Sequence, residues 1–157
     1  MRLPVQDIYK INDKRVIVGK LESGNISLGD ELLFSPSNEI VKIKSFEGWP
    51  EPKKKYSTGD SVAFTLNEQI FVDRGNLVSN IDNPPKLMQT FEANIFWLSE
   101  KEIDLSKKYL LKIHTGEYLV KINKIKKIIN TENLESKKYN NSLKKNDISE
   151  IVIHSSQ

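Results

Sequence analysis

The stretch RVIVGKLESGNISLGDELLFSPSNEIVKIKSFE, which spans residues 15–47, decides the fold of this chain. It begins with apolar, largely β-branched residues, and it reverses at 23–25, where Gly24 can adopt the positive φ of a tight turn. Two more turns follow, at Gly29 with Asp30 and at 36–38. Short apolar strands with turns about every ten residues predict a small antiparallel barrel or sandwich.

Strands are also predicted on both sides of this stretch. Residues 4–10 indicate an edge strand, because Pro4 suits the start of a strand and lacks a backbone donor. Residues 48–58 contain two prolines and the lysine run 53–55, which favours a solvated loop. A further strand is predicted over 61–66, and the apolar residues Ile70, Val72, Leu77 and Val78 complete a first module.

The run Asp-Asn-Pro-Pro-Lys at 82–86 is the best candidate for a domain boundary, since two prolines stiffen a polar connection. It predicts a first β-barrel over residues 1–82, a linker over 83–87 and a second β-barrel over 88–157. The predicted fold class is therefore all-β, with two small antiparallel β-barrels in tandem.

The second module alternates apolar and polar residues over 90–98 and 109–113, and a hairpin turn is predicted at Thr115 and Gly116. The segment 117–129 fits two structures. Its isoleucines recur at helical spacing, which would give a basic amphipathic helix, but they also fit a strand with a bulge. The strand is favoured because β-branched residues dominate the segment.

Composition describes a globular chain and excludes several kinds of chemistry. The chain has 157 residues, 38% of them hydrophobic, and a net charge of +3. It has no cysteine, which excludes disulfides, thiolate zinc sites and cysteine nucleophiles. No apolar run approaches the roughly 20 residues of a spanning helix. We therefore expect a cytoplasmic protein with no membrane partner.

No catalytic constellation stands out. The motif G-x-x-x-x-G-K-[ST] is absent, so the sequence offers no phosphate-binding loop. The only histidines, His114 and His154, have no third residue at metal-ligand spacing and are interpreted as polar residues at strand ends. We predict no catalytic residue, no metal site and no cofactor in this chain.

One sequence pattern is more specific than a general preference for β-strands. Residues 19–36 have the form G-x-L-x-S-G-x-I-x-x-G-D-x-L-x-x-x-P, and Arg74 and Gly75 begin an R-G-x-L-V run. Both resemble the second-domain β-barrel of the translational GTPase superfamily. The opening residues RLPVQDIYKI also resemble elongation factor one-alpha, where this barrel helps to hold the aminoacylated end of tRNA.

The second module is more similar to the third domain of the GTPase subunit of sulfate adenylyltransferase. The similar segments are FWLSE at 96–100, YLLKI at 109–113 and INTENL at 129–134, although Asn38 stands where that family usually has glycine. The resemblance implies a non-catalytic part of a subunit that couples GTP hydrolysis to adenylyl transfer onto sulfate. The implied partners are a GTPase domain of the same parent chain, which would hold GTP and Mg²⁺, and the separate catalytic subunit.

Two alternatives stay open: domains of a translation factor that bind aminoacyl-tRNA, and a barrel adaptor with no GTPase domain. The candidate contact residues for a domain or partner are Ser23, Gly24, Trp49, Arg74 and Gly75. In the family the last barrel continues for about two strands beyond the position of 151–153. The resemblance therefore implies an incomplete second barrel, with 148–154 as an open edge and a possible dimer through it.

Overall fold

The computed structural model describes residues 1–48, 50–129, 136–138 and 142–156, and no helix occurs among them. The chain divides into two compact units. The first unit contains Met1–Leu87 and Ile113–Gly116, and the second contains Met88–Lys112 and Glu117–Gln157. The all-β class predicted from the sequence is confirmed.

The first unit is built on a closed antiparallel barrel in the order β1-β2-β7-β5-β4-β8. Its strands are β1 (Arg2–Ile11), β2 (Lys14–Lys20), β3 (Asn25–Ser27), β4 (Glu31–Ser35), β5 (Glu39–Glu47), β6 (Lys55–Ser57), β7 (Ser61–Leu66) and β8 (Leu77–Asn80). Closure removes sheet edges, so every strand of the barrel has two neighbours.

The prediction that residues 4–10 form an edge strand is wrong. β1 pairs with β2 along one side, and its first residues pair with β8, with Leu3 opposite Val78. Pro4 is tolerated there although its strand has two neighbours. A register shift between Val5 and Asp7 marks a bulge in the same strand.

The segment 48–58 is only partly a loop. Lys55–Ser57 forms β6, which pairs with β3 in a two-stranded sheet beside the barrel. Tyr56 lies opposite Ile26 in this pairing and packs edge-on against Phe46, with ring centroids 4.8 Å apart. The three lysines are exposed, as the sequence predicts.

The barrel interior is filled by apolar side chains from alternate positions of its strands. Phe34, Phe64 and Leu32 are fully buried, and the same cluster includes Leu3, Val5, Ile17, Leu21, Ile26, Ile43, Phe46, Val62, Val72 and Val78. Side chains that fill a small barrel leave no room for a ligand inside it. Any binding site of this unit therefore lies on its surface.

The second unit contains a five-stranded antiparallel sheet with the order β10-β11-β13-β9, and β12 also pairs with β11. Its strands are β9 (Thr90–Phe96), β10 (Lys108–Ile113), β11 (Gly116–Ile129), β12 (Ser136–Lys138) and β13 (Ile148–Ser155). In the part of the chain that is described, this sheet is open, with β9 and β10 at its ends.

Strand β11 settles the ambiguity over 117–129. The helical interpretation of this segment is wrong, and the strand with a bulge is confirmed. Register shifts occur between Ile122 and Lys124 and between Ile125 and Lys127. Each shift inserts an extra residue, so Val120, Ile122, Ile125 and Ile128 all face the core although their spacing is not two throughout.

The expectation that 148–154 is an open edge is also wrong. β13 lies inside the sheet, paired with β11 on one side and β9 on the other. Its burial alternates accordingly, with Ser149, Ile151 and Ile153 buried on the core face. The second core consists of these isoleucines with Ile103, Leu143 and the buried residues of β11.

Candidate functional site

The first unit has a cleft of about 220 Å³ on its described surface. It lies where β2, β5 and β7 meet the loop over 67–72. It is lined by Asp13, Lys14, Arg15, Ile17, Lys44, Ser45, Thr65, Leu66, Asn67, Glu68, Gln69, Ile70 and Val72. The volume is below the roughly 300 Å³ at which small-molecule pockets usually begin.

Arg15 organises one wall of the cleft. Its guanidinium donates to the carbonyl oxygen of Ile70 at 2.8 Å and to that of Val72 at 3.4 Å. Hydrogen bonds from a charged donor are stronger than neutral ones, and the planar fork fixes two acceptors at once. Arg15 therefore holds the loop on both sides of Phe71.

Phe71 is consequently presented to solvent. Its side chain is 86% exposed, which makes it the most exposed of the large apolar side chains in the described residues. A phenylalanine on a loop that an arginine holds in place is available for contact with another molecule. Aromatic side chains are enriched at protein interfaces because they bring a large apolar area at low entropic cost.

A chain of hydroxyl groups forms the opposite wall. Ser45 Oγ lies 2.6 Å from Thr65 Oγ1 and donates to Glu47 Oε1 at 2.6 Å. A serine hydroxyl has one proton, so Thr65 must donate to Ser45 when Ser45 donates to Glu47. Lys14 Nζ lies 3.5 Å from the same carboxylate. The Glu47 carboxylate is thus shared between the Ser45 hydroxyl and the Lys14 ammonium.

Ser23 and Gly24 have structural contacts. Ser23 forms a bridge with Arg2, whose backbone N–H donates to Ser23 O at 2.9 Å. Gly24 has a φ of 79°, and a Cβ there would lie 2.8 Å from the Cα of Met1. Its carbonyl also accepts a hydrogen bond from Thr58 N–H at 3.0 Å. These contacts within the fold account for a serine and a glycine at positions 23 and 24 without a contact to a ligand.

Arg74 and Gly75 lie at another point of the same unit. Arg74 donates to Thr115 O at 3.3 Å and to Gln6 O at 3.2 Å. Gly75 has a φ of 94°, and a Cβ there would lie 3.1 Å from the Cα of Gly116, which belongs to the same unit. The predicted residues therefore do not converge on the cleft.

Two of the sequence features interpreted above lie outside the described residues. They are Trp49 and the stretch 130–134 of the I-N-x-x-N-L similarity. Arg15, Phe71 and the cleft were not predicted from the sequence. The only signal for them was the Lys14-Arg15 pair after a turn, which by itself does not indicate what the arginine binds.

The two histidines lie apart from the cleft and make separate contacts. His154 Nδ1 lies 2.8 Å from Thr90 Oγ1, and His114 is exposed with a φ of 51°. In the part of the chain described, no three His, Asp or Glu side chains are grouped as metal ligands. The described residues also include no helix long and apolar enough to cross a membrane.

On the second sheet, Lys126 Nζ contacts both Glu92 and Glu150 at 2.7 Å. The hydrogen bond from Lys126 lowers the pKa of Glu150, and the same bond raises the pKa of Lys126. Glu92 is exposed and the other two residues are half-buried, so the three side chains form an ion-pair network at the surface that connects β11 with β9 and β13.

Comparison with known proteins shows what the chain is similar to. Residues 90–157 match the family model described as GTP-eEF1A C-terminal domain-like. Elongation factor 1-alpha of Picrophilus torridus is 32% identical over 137 residues, which cover 83% of this chain and 32% of that protein. Sulfate adenylyltransferase subunit 1 of Bacteroides fragilis is 31% identical over 135 residues, or 85% of this chain and 28% of that protein.

A solved structure of similar fold is described as sup35 complexed with GDP. It superposes with a TM-score of 0.89 at 21% identity, covering 99% of this chain and 39% of that chain. At this identity the likeness shows the fold alone. The chain spans about a third of the length of the curated relatives it matches.

The resemblance predicted from the sequence is therefore confirmed. Residues 90–157 form a GTP-eEF1A C-terminal-like domain. The homologues of the chain include both elongation factor 1-alpha and sulfate adenylyltransferase subunit 1. The two kinds of relative match over similar lengths and with nearly equal identity, so identity alone does not choose between them.

Proposed function

We propose that this chain supplies the non-catalytic β domains of a GTPase that acts in sulfate activation, in the manner of sulfate adenylyltransferase subunit 1. GTP and Mg²⁺ would be held by a GTPase domain, and adenylyl transfer to sulfate would occur on a separate catalytic subunit. The two β units would serve as a scaffold and as a contact surface for those partners.

The observation that carries this proposal is the charge balance of the first unit. Residues 1–87 contain twelve basic and twelve acidic side chains. In the cleft, Arg15 is bound to backbone carbonyls and Lys14 is paired with Glu47. Affinity for nucleic acid depends on basic side chains that neutralise phosphates. The neutral charge of this unit, together with the engagement of Arg15 and Lys14 in the cleft, favours a protein partner over RNA.

The second candidate is a module that binds aminoacyl-tRNA, which the similarity to elongation factor 1-alpha favours. Residues 88–157 contain twelve basic and nine acidic side chains, so any RNA contact would involve the second unit more than the first. Binding would then weaken steeply with salt, because phosphate contacts release counterions.

The two candidates are separated by titrating the purified chain with the catalytic sulfate adenylyltransferase subunit of its source and, separately, with aminoacyl-tRNA. We expect saturable binding of the subunit that is little affected by salt, and only weak tRNA binding. Tight, salt-sensitive tRNA binding without subunit binding would reverse the assignment. Calorimetry with GTP should show no binding to this chain alone, and micromolar affinity would contradict its non-catalytic role.

We further propose that Phe71 contributes to the partner contact. Phe71→Ser should weaken binding of the subunit by about tenfold, since an aromatic anchor at an interface contributes about 1–2 kcal/mol or more. Leu28→Ser is the matched control, because Leu28 is also an exposed apolar side chain of the first unit, at 49% exposure. Equal losses for both variants would show that Phe71 has no particular role.

A further inference from the structure

The loop that joins β7 to β8 in the first unit is fixed at both of its ends. At its start, Asn67 N–H donates to Lys42 O at 3.0 Å, and Asn67 Oδ1 accepts a hydrogen bond from Lys42 N–H at 3.1 Å. At its end, Asp73 N–H donates to Asn76 Oδ1 at 3.0 Å, and Asn76 N–H donates to Asp73 O at 3.1 Å. The residues over 68–72 therefore connect two points that the fold holds in place.

Burial alternates along the second half of this loop. Ile70 packs against the core of the first unit, Phe71 is 86% exposed, and Val72 is 3% exposed. This alternation indicates an extended backbone, in which successive side chains point to opposite sides. Because Ile70 and Val72 both pack inward, the side chain of Phe71 is directed to solvent.

Arg15, near the start of β2, binds the backbone of this extended stretch. In an extended chain, residues two positions apart direct their backbone groups to the same side. The guanidinium group of Arg15 uses this arrangement, since it donates to Ile70 O at 2.8 Å and to Val72 O at 3.4 Å. A lysine has a single ammonium nitrogen and no planar fork, so it is a poorer match for two separate acceptors. The backbone on both sides of Phe71 is thus held by one side chain.

We propose that Arg15 is a positioning residue for the partner contact made by Phe71. This role rests on the proposed function of the chain, in which the partner is the catalytic sulfate adenylyltransferase subunit. A side chain that is already held in its bound position loses little conformational freedom on association, so a fixed loop raises the affinity. Arg15 acts on the partner through the loop and does not itself touch it.

Two variants of Arg15 test whether it fixes the loop. Arg15→Lys keeps the positive charge but not the planar fork, and Arg15→Met removes both. In each variant we expect the NMR backbone order parameter of Phe71 to fall from about 0.85 towards about 0.6. The matched control is Arg2→Met, because Arg2 also donates to two backbone carbonyls, those of Met1 at 2.9 Å and Asn83 at 2.8 Å. It should leave the loop ordered. A loop that stays ordered in both Arg15 variants would overturn the proposal.

Binding of the purified chain to the catalytic subunit, measured by calorimetry, gives a second result. Arg15→Met should weaken binding about fivefold, because the loop must then be ordered on association. Arg15→Lys should weaken it to a similar extent, since charge alone does not hold two carbonyls. Arg2→Met should bind as the unmodified chain does. An unchanged affinity in Arg15→Met would show that the partner does not require a fixed loop, and it would overturn the proposal.

A double-mutant cycle shows whether Arg15 acts through Phe71. Phe71→Ser alone is expected to weaken binding about tenfold. Adding Arg15→Met to that variant should weaken binding no further, because no aromatic side chain is left to be positioned. Losses that multiply to about fiftyfold would mean that Arg15 contacts the partner directly, and they would overturn its positioning role.

The positioning role and the proposed function can fail separately in these experiments. If the unmodified chain did not bind the catalytic subunit, the proposed function would fail, and the role of Arg15 would fail with it. If the unmodified chain binds, and Phe71→Ser weakens binding while neither Arg15 variant does, the proposed function is supported and only the role of Arg15 is refuted.

Discussion

Two buried serines of the first unit, Ser35 and Ser79, have hydroxyl groups with no hydrogen-bond partner in the described residues. Ser149, in the second unit, is just as buried, but its hydroxyl donates to Lys127 O at 2.8 Å. A buried polar group without a partner costs about 1–3 kcal/mol, whereas a satisfied one stabilises the fold.

We therefore expect opposite effects from the same substitution. Ser79→Ala should raise the free energy of unfolding by about 1 kcal/mol, and Ser149→Ala should lower it by a similar amount. Denaturant unfolding of both variants measures the two changes. A loss of stability in Ser79→Ala would mean that a water molecule satisfies this hydroxyl.

Two turn glycines provide a second comparison. Gly24 and Gly29 both have positive φ values, 79° and 85°, so alanine is strained at either position. Only at Gly24 would a Cβ also meet backbone, the Cα of Met1 at 2.8 Å, while Gly29 has open space. We expect Gly29→Ala to cost about 1 kcal/mol and Gly24→Ala about twice that in denaturant unfolding. Equal losses would show that Met1 moves aside freely.

For single residues, the sequence predicts turn positions well and long-range contacts poorly. A glycine with a required positive φ, such as Gly24, can be inferred from its neighbours alone. The role of Arg15 cannot, because its acceptors are backbone carbonyls 55 and 57 positions away. The residues next to Arg15 in the sequence do not indicate which acceptors it binds. The cleft can therefore be recognised only in the folded barrel.

Strand β11 shows what periodicity can and cannot establish. Its bulges interrupt the period of two, which is why isoleucines at helical spacing mimic an amphipathic helix. Residue type identified the strand correctly. The predictions that β1 and β13 are edge strands were wrong, because whether a strand lies at an edge depends on which other strands pair with it. For β1 one of those strands is β8, which comes much later in the sequence.

The ion-pair network across β9, β11 and β13 makes the stability of the second unit depend on pH. The hydrogen bond from Lys126 lowers the pKa of Glu150 below its ordinary value of 4.5. This contribution is therefore complete above pH 4.5 and is lost as the pH falls through the lower, folded-state pKa. Lys126→Met should flatten this part of the acid-unfolding profile.

Lys10→Met is the matched control for that experiment. It breaks the exposed pair between Lys10 and Asp13 in the first unit, and it should leave the acid dependence of the second unit as it is. Circular dichroism during acid titration at fixed denaturant measures the profiles. If the Lys126 variant kept the full acid dependence, Glu150 would have to be stabilised by other groups.

The whole molecule combines a closed barrel with a sheet that is open in the described residues. In dilute solution we expect the amides over 16–21 to exchange more slowly than those over 93–97 and 110–113. The physical reason is that every strand of the barrel has two neighbours, whereas β9 and β10 each have one in the described part of the chain. Amide exchange followed by NMR measures this difference. Uniform protection across both units in a monomer would contradict it.

The barrel of the first unit is closed by its first and last strands, since Arg2, Leu3 and Pro4 lie opposite residues of β8. A ribosome that has made every strand except β8 has therefore produced a sheet that cannot yet close. The nascent chain must keep its first strand available until Asn80 emerges. Proteolysis of ribosome-bound chains of increasing length should reveal an abrupt gain of resistance once β8 is outside the exit tunnel, and a gradual gain would show that the earlier strands fold without it.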